Sequence, residues 1–298
     1  MPGYIYESDF AMPVGVEADT VLSALTQSEA LTAWFAEYAD VSTTVGGAFR
    51  FWGRFTYEQP VESTANQTLV DIAPDGLAFS WFLLNQETIV RWRVSQERKD
   101  DSEAVILHVK HEFGSLPAMT RAEGLIDDLW RIHMGSLCSY LRGEEEIFRI
   151  DFSDSSPVVQ SSIIIKASRG RVFAALIEPE QIKQWFPAPS PIVDPRVGGD
   201  YGFGFSFEHD GRTVEPPPMK ILEFVENERL TITWPDWRMD PSVPDQTVTW
   251  LLEERGESTR LTLIHQGFAR AVDVSDYPFG WRNFLNKIRQ VAVSTLGT

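Results

Sequence analysis

The sequence predicts an α+β fold built twice in tandem, each copy a curved antiparallel sheet around a long C-terminal helix. Three observations predict it: an internal repeat of long period, runs of apolar residues alternating with period two, and a long amphipathic helix closing each repeat. The 298 residues suit two domains. Thr20–Phe35 and Arg171–Phe186 align at an offset of 151 with identity at Val21/Val172, Ala24/Ala175, Leu25/Leu176, Glu29/Glu180, Trp34/Trp185 and Phe35/Phe186. Val45–Gly47 returns as Val197–Gly199, and Trp81/Trp234, Trp92/Trp250, His111/His265 and Trp130/Trp281 follow in order, with the small changes of offset that loop insertions produce. The copies are placed at residues 1–146 and 147–298. The acidic Gly143–Pro157 stretch lies between them, either a plain linker or, through Ile147, Phe148, Ile150 and Phe152, a segment packed on a domain.

Each copy reads as strand, two short helices, a run of strands and a long helix. Val158–Ala167 is apolar and β-branched, hence a strand. Ser168 is placed to cap the helix of Val172, Phe173 and Leu176, and Pro179 suits the first turn of the next helix. In the first copy Thr26 and Glu29 have the spacing of a capping box at the same point. Tyr201, Phe203, Phe205 and Phe207 are expected on one face of one strand, with Gly202 and Gly204 as bend sites. Asp210-Gly211 signals a hairpin turn. Leu230/Ile232/Trp234, Val248/Trp250/Leu252 and Leu261/Leu263/His265 each share a face. The first copy repeats the theme with Phe49/Phe51/Phe55, Leu77/Phe79/Trp81, Val90/Trp92/Val94 and Val105/Leu107/Val109/His111. Short turns between successive strands imply an antiparallel sheet with one covered face. Thr120 and Glu123 have capping-box spacing ahead of the first long helix. Trp130, Met134, Leu137 and Leu141 share one face of it, as Trp281, Leu285, Ile288 and Ala292 do in the second. A helix of ~20 residues is about 30 Å long, enough to cross the sheet.

The second copy resembles the activator-of-heat-shock-protein-90-ATPase homologue family of the START-like (SRPBCC, helix-grip) superfamily. The resemblance rests on Arg171–Phe186, Asp194–Phe203, Ile221–Trp234, Thr259–Phe268 and Phe279–Trp281. The first copy keeps the landmarks but reads HEFG at His111–Gly114 against HQGF, and Leu129 where the second has Gly280, so it resembles a diverged member. The resemblance implies two helix-grip domains and a cavity for apolar or aromatic small molecules under the long helix. Members include polyketide cyclases, lipid-transfer proteins and the eukaryotic chaperone-ATPase activator.

The net charge of −17 disfavours nucleic acid and anionic membranes. The N-terminus lacks signal-peptide features, no apolar run is long enough to span a membrane, and the single cysteine excludes an intrachain disulfide. These features place the protein in the cytoplasm, and 20 arginines against 6 lysines hint at a bacterial source. Cys138 reads as a small packed residue. His108 and His111 point to opposite faces of a strand and cannot share a metal. No metal site, cofactor motif or phosphate loop is expected, since a strand rather than a helix follows Gly198, Gly199, Gly202 and Gly204.

The expected ligand-binding residues are Phe203, Phe205, Trp234, Trp250, His265 and Trp281. His265 is either a ligand-facing acid or base or a histidine satisfied within the core. No catalytic residue is assigned. The reading is a non-enzymatic binding protein with a hydrophobic small-molecule pocket under the C-terminal helix. The alternative is a protein-interaction module with a chaperone as partner, and the third reading is a cyclase-type enzyme. The second copy is expected to hold the better pocket.

Overall fold

The computed structural model describes residues 6–99, 102–115, 122–209, 212–235 and 243–294. The chain divides into two compact units, Met1–Ser155 with Ala271–Asp276, and Ser156–Arg270 with Tyr277–Thr298. The sequence places the break near Glu146, whereas the compact first unit runs on to Ser155 and takes in a short segment from far along the chain.

In the first unit, β1 (Tyr6–Pro13) leads to α1 (Ala18–Thr26) and α2 (Ser28–Trp34). The strands β2 (Tyr38–Val41), β3 (Phe49–Trp52), β4 (Thr68–Ala73), β5 (Gly76–Leu83), β6 (Gln86–Lys99) and β7 (Ser102–Phe113) follow, then α3 (Ala122–Leu141). Five of these strands form an antiparallel sheet in the order β1-β7-β6-β5-β4, and β2 pairs with β3 separately. The second unit repeats the plan. It contains β8 (Val159–Ile165), α4 (Arg169–Ile177), α5 (Pro179–Trp185), β9 (Ile192–Val193), β10 (Asp200–Gly202), β11 (Phe207–His209), β12 (Arg212–Val214), β13 (Met219–Val225), β14 (Arg229–Trp234), β15 (Gln246–Arg255), β16 (Ser258–Gln266) and α6 (Tyr277–Ser294). Its main sheet runs β8-β16-β15-β14-β13-β10-β9. Each unit is a helix-grip fold, a sheet with its long helix at the C-terminal end.

The alternation read from the sequence holds where both strand faces differ in environment. Leu77, Phe79, Trp81, Val90, Trp92, Leu107, Val109 and His111 are buried, as are Leu230, Ile232, Val248, Trp250, Leu261, Leu263 and His265. The helix stripes meet them. Trp130 and Leu137 are inaccessible to solvent, and Trp281, Leu285, Ile288 and Ala292 are all buried. Trp34 and Trp185, paired by the repeat, make the same bond: each indole N–H donates to a carbonyl of the preceding helix, Ala24 and Ala175 respectively.

Several local expectations need correction. The Thr26/Glu29 capping box is absent, because Thr26 ends α1 and its hydroxyl donates to the Leu22 carbonyl while Gln27 takes the N-cap position of α2. Ser168 stands at the N-cap of α4 but its side chain makes no capping bond, and Pro179 does open α5. Thr120 lies outside the described residues. The single strand expected through Tyr201, Phe203, Phe205 and Phe207 ends at Gly202. Gly204 adopts a left-handed φ of +70°, which breaks the two-residue alternation. Tyr201 and Phe203 consequently stay buried while Phe205 is 39% exposed. Beyond the break, β11 and β12 pair with His209 opposite Arg212, the hairpin expected there, and the turn residues Asp210 and Gly211 themselves lie outside the described residues.

Candidate functional site

The six residues expected at the site fall into one continuous network in the second unit. Trp281, on α6, lies 6.2 Å from Trp250 on β15 and 5.1 Å from Trp234 on β14, measured between ring centroids. Trp234 leads to Phe203 at 6.2 Å, and Phe203 to Phe205 at 6.1 Å. His265 is tied in by a bond from the Trp281 indole N–H to its Nδ1, 3.0 Å long.

That bond decides what His265 can do. A ring nitrogen that accepts carries no proton, so in the neutral imidazole the proton sits on Nε2. Nε2–H in turn donates to Gln246 Oε1 at 2.7 Å. Both nitrogens therefore have protein partners in a side chain fully shielded from water. Burial pushes the pKa of His265 down to about 3. The imidazole is a cross-link between α6 and the sheet, built from the core side of both.

The first copy contains the same device. The Trp130 indole donates to His111 Nδ1 at 3.1 Å, and His111 Nε2–H donates to Thr88 Oγ1 at 2.8 Å. The Thr88 hydroxyl in turn donates to the Trp81 carbonyl at 2.7 Å. Burial likewise pushes His111 down to about 3. Of the two roles read for His265, its bonds fit the core-satisfied one, and His111 is satisfied in the same way. His108, on the opposite face, bonds outward to Ser95 and Glu97. The Cys138 thiol faces the Met12 sulfur at 3.2 Å, and burial raises its pKa, the behaviour of a packed residue.

The second unit's network reaches solvent at Phe205 and Trp234, and residues the sequence did not single out as site residues extend it. Phe186 stacks on Phe203 with centroids 4.0 Å apart and planes 21° apart. Phe284 lies 4.8 Å from Phe186, and Phe205 lies 5.8 Å from it. Phe186, Phe284 and Trp234 are half-buried. Tyr277 is part of the same wall, its hydroxyl accepting the Trp234 indole N–H at 3.1 Å. Signals for two of these were present: Tyr277 and Phe284 lie four residues before and three after Trp281, on its side of the helix. Gln246, the partner of His265, carries no such local signal.

Two surface depressions of about 310 and 300 Å³ lie elsewhere on this unit. One surrounds the start of α4 and the β15–β16 turn, the other the Gln266–Phe268 corner, and none of the six expected residues lines either. Among the described residues, no group of three or more His, Cys, Asp or Glu is placed to hold a metal ion, and no helix is long and apolar enough to cross a membrane.

No match was found among curated proteins. Several solved structures are similar. Protein MLL2253 from Mesorhizobium loti is 24% identical over 47% of this chain and 98% of its own, with a TM-score of 0.38. The Aha1 dimer from Colwellia psychrerythraea is 18% identical over 47% and 99%, with a TM-score of 0.37. DynU16, described as a protein of the dynemicin biosynthetic locus, is 18% identical over 96% and 98%, with a TM-score of 0.39. The family described as Activator of Hsp90 ATPase homolog 1-like protein matches residues 166–292, so it is the second half of the chain that carries this family's pattern.

Proposed function

We propose that the second copy binds a flat apolar or aromatic small molecule against the half-open aromatic wall of Phe186, Phe203, Phe205, Trp234 and Phe284. The observation that carries this reading is the gradient of exposure along one unbroken ring network, from Trp250, fully buried, to Phe205, 39% exposed. Rings at the outer end offer faces and edges for stacking, worth about 0.5–1.5 kcal/mol per aromatic pair beyond burial. The inner end is rigid, because Trp281, His265 and Gln246 are bonded in series. His265 then acts as a strut, and with both its nitrogens engaged it offers no proton-transfer group, which favours binding over cyclase-type catalysis. The family's pattern at residues 166–292 is consistent with a small-molecule or a protein partner.

Titration with a flat aromatic probe, 1-aminoanthracene, tests the reading. Binding is expected to change the indole emission, and Phe205→Ala combined with Phe186→Ala is expected to weaken it about tenfold. Unchanged affinity in that double variant would sink the site. Capture of a protein chaperone by the same face, blocked by the same variant but not by the probe, would favour the interaction-module reading.

A further inference from the structure

The outer faces of the two main sheets, turned away from the buried aromatic cores, are built from opposite chemistry. On the first sheet the outward positions are charged and paired in place. Arg91 meets Glu112 at 3.3 Å, Arg93 meets Asp71 at 3.0 Å, Lys110 meets Glu7 at 2.7 Å and His108 meets Glu97 at 3.0 Å. The strand ladders fix the corresponding places in the second unit. Trp92 and Trp250 stand opposite Val109 and Leu263, and Ser8 and Val159 stand opposite His111 and His265. Arg91 and Arg93 then correspond to Thr249 and Leu251, and His108, Lys110 and Glu112 to Thr262, Ile264 and Gln266. Glu7 and Asp9 correspond to Val158 and Gln160. Every ionisable residue in this set faces an uncharged counterpart.

These residues make one continuous neutral surface. Thr231, Thr249, Ile264 and Gln160 stand side by side across β14, β15, β16 and β8, and Leu251, Thr262 and Ser162 form the next row. Val158 and Ile164, at the β8 margin, are each 48% exposed. The hydroxyls satisfy one another within the sheet, Thr231 Oγ1 with Thr249 Oγ1 at 3.0 Å and Ser162 Oγ with Thr262 Oγ1 at 2.8 Å. They can lose water without losing a partner, which keeps the cost of covering the face low. Charge returns only around the perimeter and in both signs, Lys220, Arg229 and Arg260 beside Glu223, Asp245 and Glu253. A centre depleted of charge within a charged rim is the composition of a protein interface. The edge strand β8 also lacks the acidic side chains that guard β1 against pairing.

We propose that this face joins two copies of the chain, the outer sheet face of one second unit packing on the same face of another about a two-fold axis. Charge selects that occupant. The chain carries a net charge of −17, so two copies repel wherever acidic surfaces meet, and the neutral face is where they can approach without opposing like charges. A strongly basic or acidic partner would call for a rim of one sign, whereas a rim of both signs complements its own two-fold image. Strands about 4.8 Å apart, with about five outward-spanning residues of ~3.3 Å each, make the patch roughly 19 by 17 Å across β14, β15, β16 and β8. That is smaller than a standard interface, so the dimer is weak and depends on concentration. The face lies on the other side of the sheet from the aromatic wall, and the proposal does not depend on ligand binding there.

The test is sedimentation velocity of the full chain from low micromolar to near-millimolar concentration, with methyl NMR of the isoleucines over the same range. A monomer–dimer equilibrium is expected, and added sodium chloride should strengthen it by screening the net repulsion. The Ile164 and Ile264 methyl signals should move with concentration while that of Ile72, exposed on the first unit, stays fixed. Thr249→Lys combined with Ile264→Glu sets opposite charges directly across the β15–β16 ladder, so the monomer should keep its melting temperature. The same pair charges the centre of the face and should weaken dimerisation by about tenfold or more. Lys110→Gln, on the first sheet's outer face, should leave dimerisation unchanged. The methyl shifts of the unaltered chain decide the matter if the double variant misfolds. The proposal is overturned if the chain stays monomeric throughout, if salt weakens the dimer, if the double variant folds and still dimerises, or if Ile72 moves in place of Ile164 and Ile264. Protection of Ile164 and Ile264 from solvent at every concentration, in a monomer, would mean that another part of the same chain covers the face, and would overturn it too.

Discussion

In the first copy β3 runs on to Trp52, which pairs with Tyr38 across the β2–β3 ladder and stacks on its ring at 5.7 Å. At the offset of the Val-Gly-Gly landmark, Trp52 corresponds to Gly204, where the second copy turns left-handed and its strand has already ended. The rings behind these two positions differ accordingly. Phe35 and Trp81 are sealed at 1% and 0% exposure, whereas Phe186 and Trp234 are half-buried. The inner struts, Trp130–His111 and Trp281–His265, are nearly superimposable in chemistry. The two units thus share the cross-link between helix and sheet and differ in which rings meet water. In the second unit Phe205, beside the left-handed Gly204, is the ring that stands 39% exposed.

Removing a strut should have the largest effect and should be equal in both copies. Trp130→Ala and Trp281→Ala are each expected to lower stability by about 3–5 kcal/mol in denaturant unfolding, since each leaves a cavity and an unpaired histidine nitrogen. A loss below about 1 kcal/mol in either would break the equivalence. Acid should then separate the copies. Among the side chains described, the first unit buries His111 and His133, both pushed down to about 3, and the second buries His265. A histidine whose folded pKa lies below its unfolded value of about 6.5 contributes full stability above that value and loses it as pH falls toward the folded pKa. At pH 5.5 this amounts to roughly 1 kcal/mol per histidine, hence about twice the loss in the first unit. Urea melts at pH 7.5 and 5.5, followed through the indole signals of Trp130 and Trp281, would read the two units separately. Equal losses would contradict the assignment of His133 as a buried neutral group.

Smaller effects probe the rim. Gly204→Ala places a Cβ 2.5 Å from the Ser190 carbonyl oxygen at a positive φ, and should cost about 1–3 kcal/mol. Thermal unfolding measures it, and a neutral result would show that the left-handed turn is not what ends the strand. Phe205→Ala, at an exposed ring, should change stability by no more than about 0.5 kcal/mol while weakening aromatic ligands. A large stability loss there would mean that Phe205 is core after all.

Much of this was legible in one sequence. The Trp34/Trp185 and Trp130/Trp281 pairs carried the expectation of a repeated plan, and residues such as Leu230, Ile232, Val248 and Trp250 carried the strands, because burial imposes a period of two on a strand facing a core. The expected strand through Phe207 failed at Gly204, since glycine permits both an extended and a left-handed backbone and nothing local selects between them. The Thr26 capping box failed for a related reason: the hydroxyl had a competing acceptor, Leu22, one turn back. The six expected site residues do come together, but Phe186, Tyr277 and Phe284 complete their surface, and only one of these, Phe186, stood in a quoted motif.

The sequence by itself determined the two-copy α+β plan and the faces of its strands and helices, because periodicity and apolar burial are properties of residues a few positions apart. Only the tertiary structure decided what the histidines do. Gln246 meets His265 across the register of β15 and β16, and Trp281 reaches it from a helix, so the proton's position depends on contacts made between separate elements. The same holds for Phe152, whose partners Tyr57 and His133 are chosen by where the chain folds back and not by their spacing along it.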